Sequence, residues 1–325
     1  MTLSIGLSNS ARTRPLADAR VPLDGVDADI TLMGVQALFN HQMAHHTFDV
    51  CEFPIATYLR SLEDPEQPYL AFPVFPSRHF RLSCLFVPEN SDIATPADLA
   101  GRRIGLSVFD MAAAVWLRGM LQDHFGLDRF APVYVIGGLE EPRNGDEHPQ
   151  FYPPGFTFEF RTDASLAELL AAGEIDAVVT ARAPSTWPNG GVRRLFEDPR
   201  AVETEYYRKT GIFPAMHIMA MKRPLAEAKP ELRGVLYRAF CEAQGMARTD
   251  LFDSAALDTI LPWQLEDLLE TERELGADYW ATGLEANRLM LDTIVDYSLA
   301  DGLISTPFTP EQLFAGPGEA EMLAS

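Results

Sequence analysis

Short apolar runs alternate with stretches of helical spacing along most of the chain. Leu3–Leu7, Ile30–Met33 and Phe48–Phe53 are brief, apolar and bounded by polar turns, so they read as strands. Leu82–Val87 is a continuous apolar run, the mark of a buried strand. Arg103–Ser107, Ala131–Ile136 and Ile175–Thr180 extend the strand set. Helical spacing marks Val35–His46, Ala112–Phe125 and Ser165–Ala172, the last closed by Gly173. Leu195–Tyr207 reads as a loop and a helix, and Gly211–Met221 as a strand that is apolar but for His217. After Pro224 the pattern is helical: Pro230–Thr249, Leu265–Leu275 and Gly283–Leu299. Gly137–Gly155 is rich in proline and glycine and reads as a long loop or lid. The last ten residues read as frayed. This alternation predicts an α/β protein with mostly parallel sheets, in which ligands meet the carboxyl ends of strands.

The chain has 325 residues, 47% of them hydrophobic, which is more than one compact core usually holds, so two lobes are expected. Its net charge of -21 repels phosphate backbones and anionic membranes, which argues against a nucleic-acid or membrane partner. In such a field a local cluster of arginines stands out, and an anionic small molecule needs one. Cys51, Cys84 and Cys241 have no metal-ligand spacing and form no even set, which fits a reducing compartment. Met1–Asn9 lacks the basic and apolar regions of a secretory signal, so a cytoplasmic location is expected. No apolar stretch reaches the roughly 18 residues that span a membrane. Composition leaves a homo-oligomer open.

The polar positions at the strand ends carry the candidate chemistry. Arg12 and Thr13 follow the first strand, and Glu52 closes the third. Ser107 and Phe109 lie between a strand and the helix at Ala112, where free backbone N–H groups favour an anion; Asp110 reads there as the helix cap. Thr180 and Arg182 follow the strand at Ile175. Arg78, His79 and Arg81 stand directly before the apolar run at Leu82, and arginine's planar fork suits carboxylates. His217 sits alone in its apolar strand, where a histidine is commonly a satisfied core residue. His41 and His45 have a spacing that can hold a metal, but no acidic or cysteine ligand stands beside them, so no metal is assigned. Together these positions describe a cleft lined by cationic, hydroxyl and aromatic groups, suited to a small anionic aromatic ligand. Nucleotide, flavin, zinc and serine-hydrolase motifs are lacking in any supporting context.

Several of these segments carry a resemblance. Phe75-Pro76-Ser77-Arg78-His79-Phe80-Arg81, Asp98-Leu99-Ala100-Gly101-Arg102-Arg103-Ile104-Gly105, Ile175–Ala181, Arg200–Tyr207 and Thr210–His217 are similar, in order, to the 4,5-dihydroxyphthalate decarboxylase family, of the type 2 periplasmic-binding-protein-like superfamily. The resemblance implies a two-lobed fold with a ligand cleft between the lobes: residues 1–87 in lobe one, 88–210 in lobe two, and 211–325 returning to lobe one. The family's first loop usually reads Tyr-Asp-Arg-Thr; Ser10-Ala11-Arg12-Thr13 stands here, without the phenol and the carboxylate.

The implied activity is non-oxidative decarboxylation of a dihydroxylated aromatic dicarboxylate. In 4,5-dihydroxyphthalate each carboxylate is para to one hydroxyl, which feeds electron density to the carbon that is protonated before CO2 leaves. No cofactor is required as an electron sink. On this reading Arg12, Arg78 and Arg81 hold carboxylates. Glu52 or His217 serves as base, and His79 or His217 as acid. Thr13, Ser107, Phe109, Thr180, Arg182 and Phe213 complete the substrate-facing set. The alternative on the same fold is a solute-binding protein of an ABC transporter for a small carboxylate.

Overall fold

A computed structural model describes residues 2–143, 151–255, 257 and 259–316. They divide into two compact units. The first draws on Met1–Arg78, Thr210–Asp292 and Phe308–Ser325, the second on His79–Lys209 and Thr293–Pro307. The first boundary thus falls before Leu82 rather than after Val87, and residues 293–307 join the second unit, not the first.

The first unit is built on a five-stranded sheet of β1 (Leu3–Ser8), β2 (Ala28–Met33), β3 (Val50–Pro54), β4 (Tyr69–Phe72) and a late strand, His217–Lys222, in the order β2, β1, β3, the late strand, β4. β1 runs parallel to both its neighbours, while the late strand is antiparallel to β3 and β4. The sheet is therefore mixed. β1 puts Leu3, Ile5 and Leu7 inside, and the helix Glu231–Phe252 presents Leu232, Leu236, Phe240 and Ala243 to the same core at three- and four-residue spacing. Burial of each large apolar side chain stabilises by about 1.5–3 kcal/mol, so Leu236→Ala is expected to cost about 2–5 kcal/mol. At Gly6 a Cβ would meet the Phe48 ring at 2.4 Å, so only glycine lets β1 pass there.

The second unit holds a six-stranded mixed sheet. Its strands are β5 (Leu85–Pro88), β6 (Arg103–Leu106), β7 (Val133–Ile136), β8 (Thr157–Phe160), β9 (Ala177–Val179) and β10 (Val192–Arg194), ordered β10, β5, β9, β6, β7, β8. The late strand of the first unit is β11 in chain order. The apolar run from Leu82 begins as a short 3-10 turn, Leu82–Cys84, and becomes strand only at Leu85. Ser165 and Glu168 form a reciprocal capping box for the helix Leu166–Ala171. Gly173 follows that helix with φ +70°, a left-handed conformation in which a Cβ is strained. Asp301 is fully buried and accepts from Arg118 Nε at 2.9 Å, Arg118 Nη2 at 2.6 Å and Arg129 Nη1 at 2.7 Å. Of the Gly137–Gly155 loop, residues 144–150 lie outside the described residues, as do all but the first of the last ten. No helix of the described residues is long and apolar enough to cross a membrane.

Candidate active site

β3 and β11 bring together the two strongest candidates in the first unit. Met219 pairs with Glu52 across the antiparallel ladder, so His217, two residues earlier, projects from the same face as a diagonal neighbour. Glu52 Oε1 meets His217 Nδ1 at 2.5 Å. The other oxygen, Oε2, accepts the backbone N–H of Ser8 at 2.9 Å, from the end of β1. Glu52 is fully buried while the His217 side chain retains 12% exposure. Burial by itself pushes the Glu52 carboxyl up. The His217 bond and charge, with the Ser8 amide, outweigh burial and hold the carboxyl below the ordinary glutamate range. Glu52 is thus an anion fixing Nδ1, which leaves Nε2 as the nitrogen free for chemistry. Phe39 meets the imidazole edge-on, with ring centroids 4.9 Å apart, and fixes its tilt. Cys51, next to Glu52, is no nucleophile: burial and the Glu52 charge push its thiol far up.

Arg12 belongs to the same unit. Its guanidinium lies 4.2 Å over the Trp280 ring, and Nε donates to Pro76 O at 2.9 Å. Among the described residues no acceptor meets Nη1 or Nη2. Loss of solvent lowers the Arg12 pKa, only partly offset by the negative charge of Glu52. A desolvated guanidinium with open N–H groups is a ready partner for a carboxylate. Trp280 is itself held, its Nε1 donating to Phe75 O at 3.0 Å and its ring lying edge-on to Phe213.

Other expected contacts have different employment. Thr13 is fully buried, and its hydroxyl donates to Ser8 O at 2.6 Å, shaping the loop rather than facing a ligand. Arg78 was expected as a carboxylate clamp; its guanidinium donates to Phe213 O and Ala281 O, each at 2.9 Å, and to Asn287 Oδ1. It braces three segments of the first unit. Phe213 supplies one of those carbonyls and is partly exposed.

The remaining candidates lie in the second unit. Phe109, expected at a ligand, is 1% exposed and packs among Tyr134, Phe156 and Phe158 under the Arg118 guanidinium. An aromatic so enclosed is core. Asp110 does not cap the following helix, whose N-cap is Met111. Ser107 offers its carbonyl to Arg143. The Thr180 hydroxyl donates to Arg182 O at 2.8 Å and accepts the Arg182 N–H, closing a turn that leaves Arg182 exposed. Arg81 is buried, with Nη1 3.6 Å from Cys84 Sγ and Glu203 within electrostatic reach. His79 lies against Phe80 O, and loss of solvent and the Arg81 charge lower its pKa. Among the described residues no cluster of histidine, cysteine or acidic groups could hold a metal, the His41–His45 pair included.

Sequence reasoning missed Ser8, Phe39, Trp280 and Asn287. The Tyr279-Trp280 pair between two helices is a usable signal, since adjacent aromatics in a loop seldom both serve a core. The roles of Phe39 and the Ser8 amide depend on strand order and had no sequence signal.

No family model matches the chain. It is 35% identical over 317 residues, 97% of its length, to a protein from Comamonas testosteroni named 4,5-dihydroxyphthalate decarboxylase, covering 96% of that protein. A Pseudomonas putida protein of the same name is 35% identical over 211 residues, 64% of this chain and 82% of the relative. Among solved structures, the periplasmic aliphatic sulphonate binding protein SsuA of Escherichia coli superposes with a TM-score of 0.54 at 18% identity, covering 97% of this chain and 92% of SsuA. A Candida albicans protein with the generic periplasmic binding protein fold gives 0.54 at 10% identity, over 98% and 96% of the two chains. These likenesses show the fold, and the close relatives show the family: the chain belongs to the 4,5-dihydroxyphthalate decarboxylase family.

Proposed function

We propose that the protein is a non-oxidative decarboxylase of 4,5-dihydroxyphthalate or a close analogue, releasing protocatechuate and CO2. The observation that carries this reading is the Glu52–His217 pair, an imidazole whose Nδ1 is fixed by a buried carboxylate, in the unit that also holds Arg12 with open N–H groups. Arg12 holds the carboxylate that stays. His217, protonated, delivers its Nε2 proton to the ring carbon bearing the carboxylate that leaves. The para hydroxyl stabilises the resulting cation. The carbon–carboxyl bond then breaks, its electron pair restores the aromatic ring, and CO2 departs. His217 is left neutral and regains a proton from water. Glu52, held as an anion, fixes the ring through Nδ1 throughout. A cytoplasmic location is part of the same proposal, supported by three free cysteines, and cell fractionation tests it.

The test is incubation of the purified protein with 4,5-dihydroxyphthalate, followed by chromatography for protocatechuate. Turnover supports the reading. Ligand-induced thermal stabilisation without product contradicts it and points to a binding protein.

A further inference from the structure

Beside the Arg12–Trp280 stack the first unit contains a pocket of about 290 Å³. Neither Glu52 nor His217 lines it. It is lined by Tyr279 and Trp280, by buried Ala247 and Leu268, and by Arg12 from the loop after β1. Gly245 also lines it, within the interior of the helix Glu231–Phe252. A Cβ at Gly245 would meet no atom within 4 Å, and its φ is not in the left-handed region. Neither packing nor backbone conformation asks for glycine there, although glycine weakens a helix relative to alanine. What the glycine preserves is open volume in the pocket. The geometry points to a second ligand site, one that takes a small, flat aromatic monocarboxylate with its ring against Tyr279 and Trp280 and its carboxylate on Arg12.

The lining selects for that class. The volume suits a single substituted ring. Arg12 is the lining cation that makes no salt bridge among the described residues, whereas Arg248, which also lines the pocket, is neutralised by Glu272, to which it donates through Nε at 2.8 Å and through Nη2. Asp278, exposed at the lining, disfavours a second negative charge, so a monoanion fits better than a dianion. If the proposed reaction holds, the occupant and the substrate carboxylate compete for one guanidinium; that consequence rests on the proposed function, whereas the binding does not.

The direct test is a crystal of the full chain grown with 4-iodobenzoate, with the iodine located by anomalous scattering. Iodine between Tyr279, Trp280 and Gly245 is expected. Iodine only beside His217, or none at about 10 mM ligand, overturns the proposal. In solution, calorimetry with benzoate should show Gly245→Phe, which fills the pocket, weakening binding by about tenfold or more. Gly245→Ala should retain binding within about twofold and melt slightly higher. Equal benzoate affinity in Gly245→Phe and the parent also overturns it. Because both arms read binding alone, they stand whether or not the protein turns over 4,5-dihydroxyphthalate.

Discussion

Glu52 and His217 are 165 residues apart in sequence and share a 2.5 Å contact, made because β11 returns antiparallel to β3 with Met219 opposite Glu52. The carboxylate is buried and held by the Ser8 amide, so it cannot swing away from the ring. The pair has the makings of a proton carrier whose orientation is set by strand register.

Glu52→Gln preserves a hydrogen-bonding shape but removes the negative charge beside Nδ1. Turnover should fall by about 10²–10⁴-fold, with KM changed far less. The stability profile should change too. Glu52's carboxyl is held below the ordinary value of 4.5, so its contribution to folding is complete above that pH and is lost as pH falls through the lowered value. Melting temperatures from about pH 7 to about pH 3 should fall more steeply for the parent than for Glu52→Gln below about pH 4.5. Parallel acid limbs would contradict the assignment.

Arg12 is assigned to the carboxylate that stays. Arg12→Gln should raise KM by about 10–100-fold, the loss of a charged hydrogen-bond pair of about 1.5–3 kcal/mol. Trp280→Leu removes the platform and should raise KM less, with Trp280→Phe partly restoring it. Steady-state kinetics on the three variants checks this. An unchanged KM in Arg12→Gln would remove Arg12 from the site.

Arg78 separates a brace from a clamp. Arg78→Met strips a donor from Phe213 O, Ala281 O and Asn287 Oδ1; Ala281 O keeps the Asn287 Nδ2 bond at 3.0 Å, whereas buried Asn287 Oδ1 is left without its Arg78 donor, a loss of about 1–3 kcal/mol. The variant should melt several degrees lower. A raised KM with an unchanged melting temperature would make Arg78 a substrate clamp instead.

In the second unit, Asp301→Asn leaves Arg118 and Arg129 buried without their shared counter-charge. Loss of one partner from a buried ionic cluster costs about 3–5 kcal/mol. Denaturant unfolding should show that loss, and a loss below about 1 kcal/mol would contradict it.

Most strands and helices were legible because their periodicity is strong: Ala112–Phe125 has the bounds that helical spacing predicts. β4, β8 and β10 were not, since Tyr69–Phe72 is four residues between prolines and Thr157–Phe160 is half exposed. The mixed character of both sheets was hidden because strand direction depends on which neighbours pair, not on local pattern. At the site, Glu52 and Arg12 stand out in the sequence as polar groups at or just after strand ends, whereas His217 reads as a lone histidine inside an apolar strand. Phe109 misled for a physical reason: an aromatic at a helix start looks the same whether it faces a ligand or, as here, Tyr134, Phe156 and Phe158. Arg78 misled likewise, because its acceptors are carbonyls that no sequence pattern announces.

The most direct measurement is turnover of 4,5-dihydroxyphthalate in D2O by the parent protein and by His217→Gln, with the product read by mass spectrometry and NMR and ligand binding by calorimetry. The account predicts protocatechuate carrying one deuterium at the vacated ring carbon from the parent. From His217→Gln it predicts retained binding with turnover lower by about 10²–10⁴-fold. Near-parental turnover by His217→Gln, or no product from the parent, would contradict it.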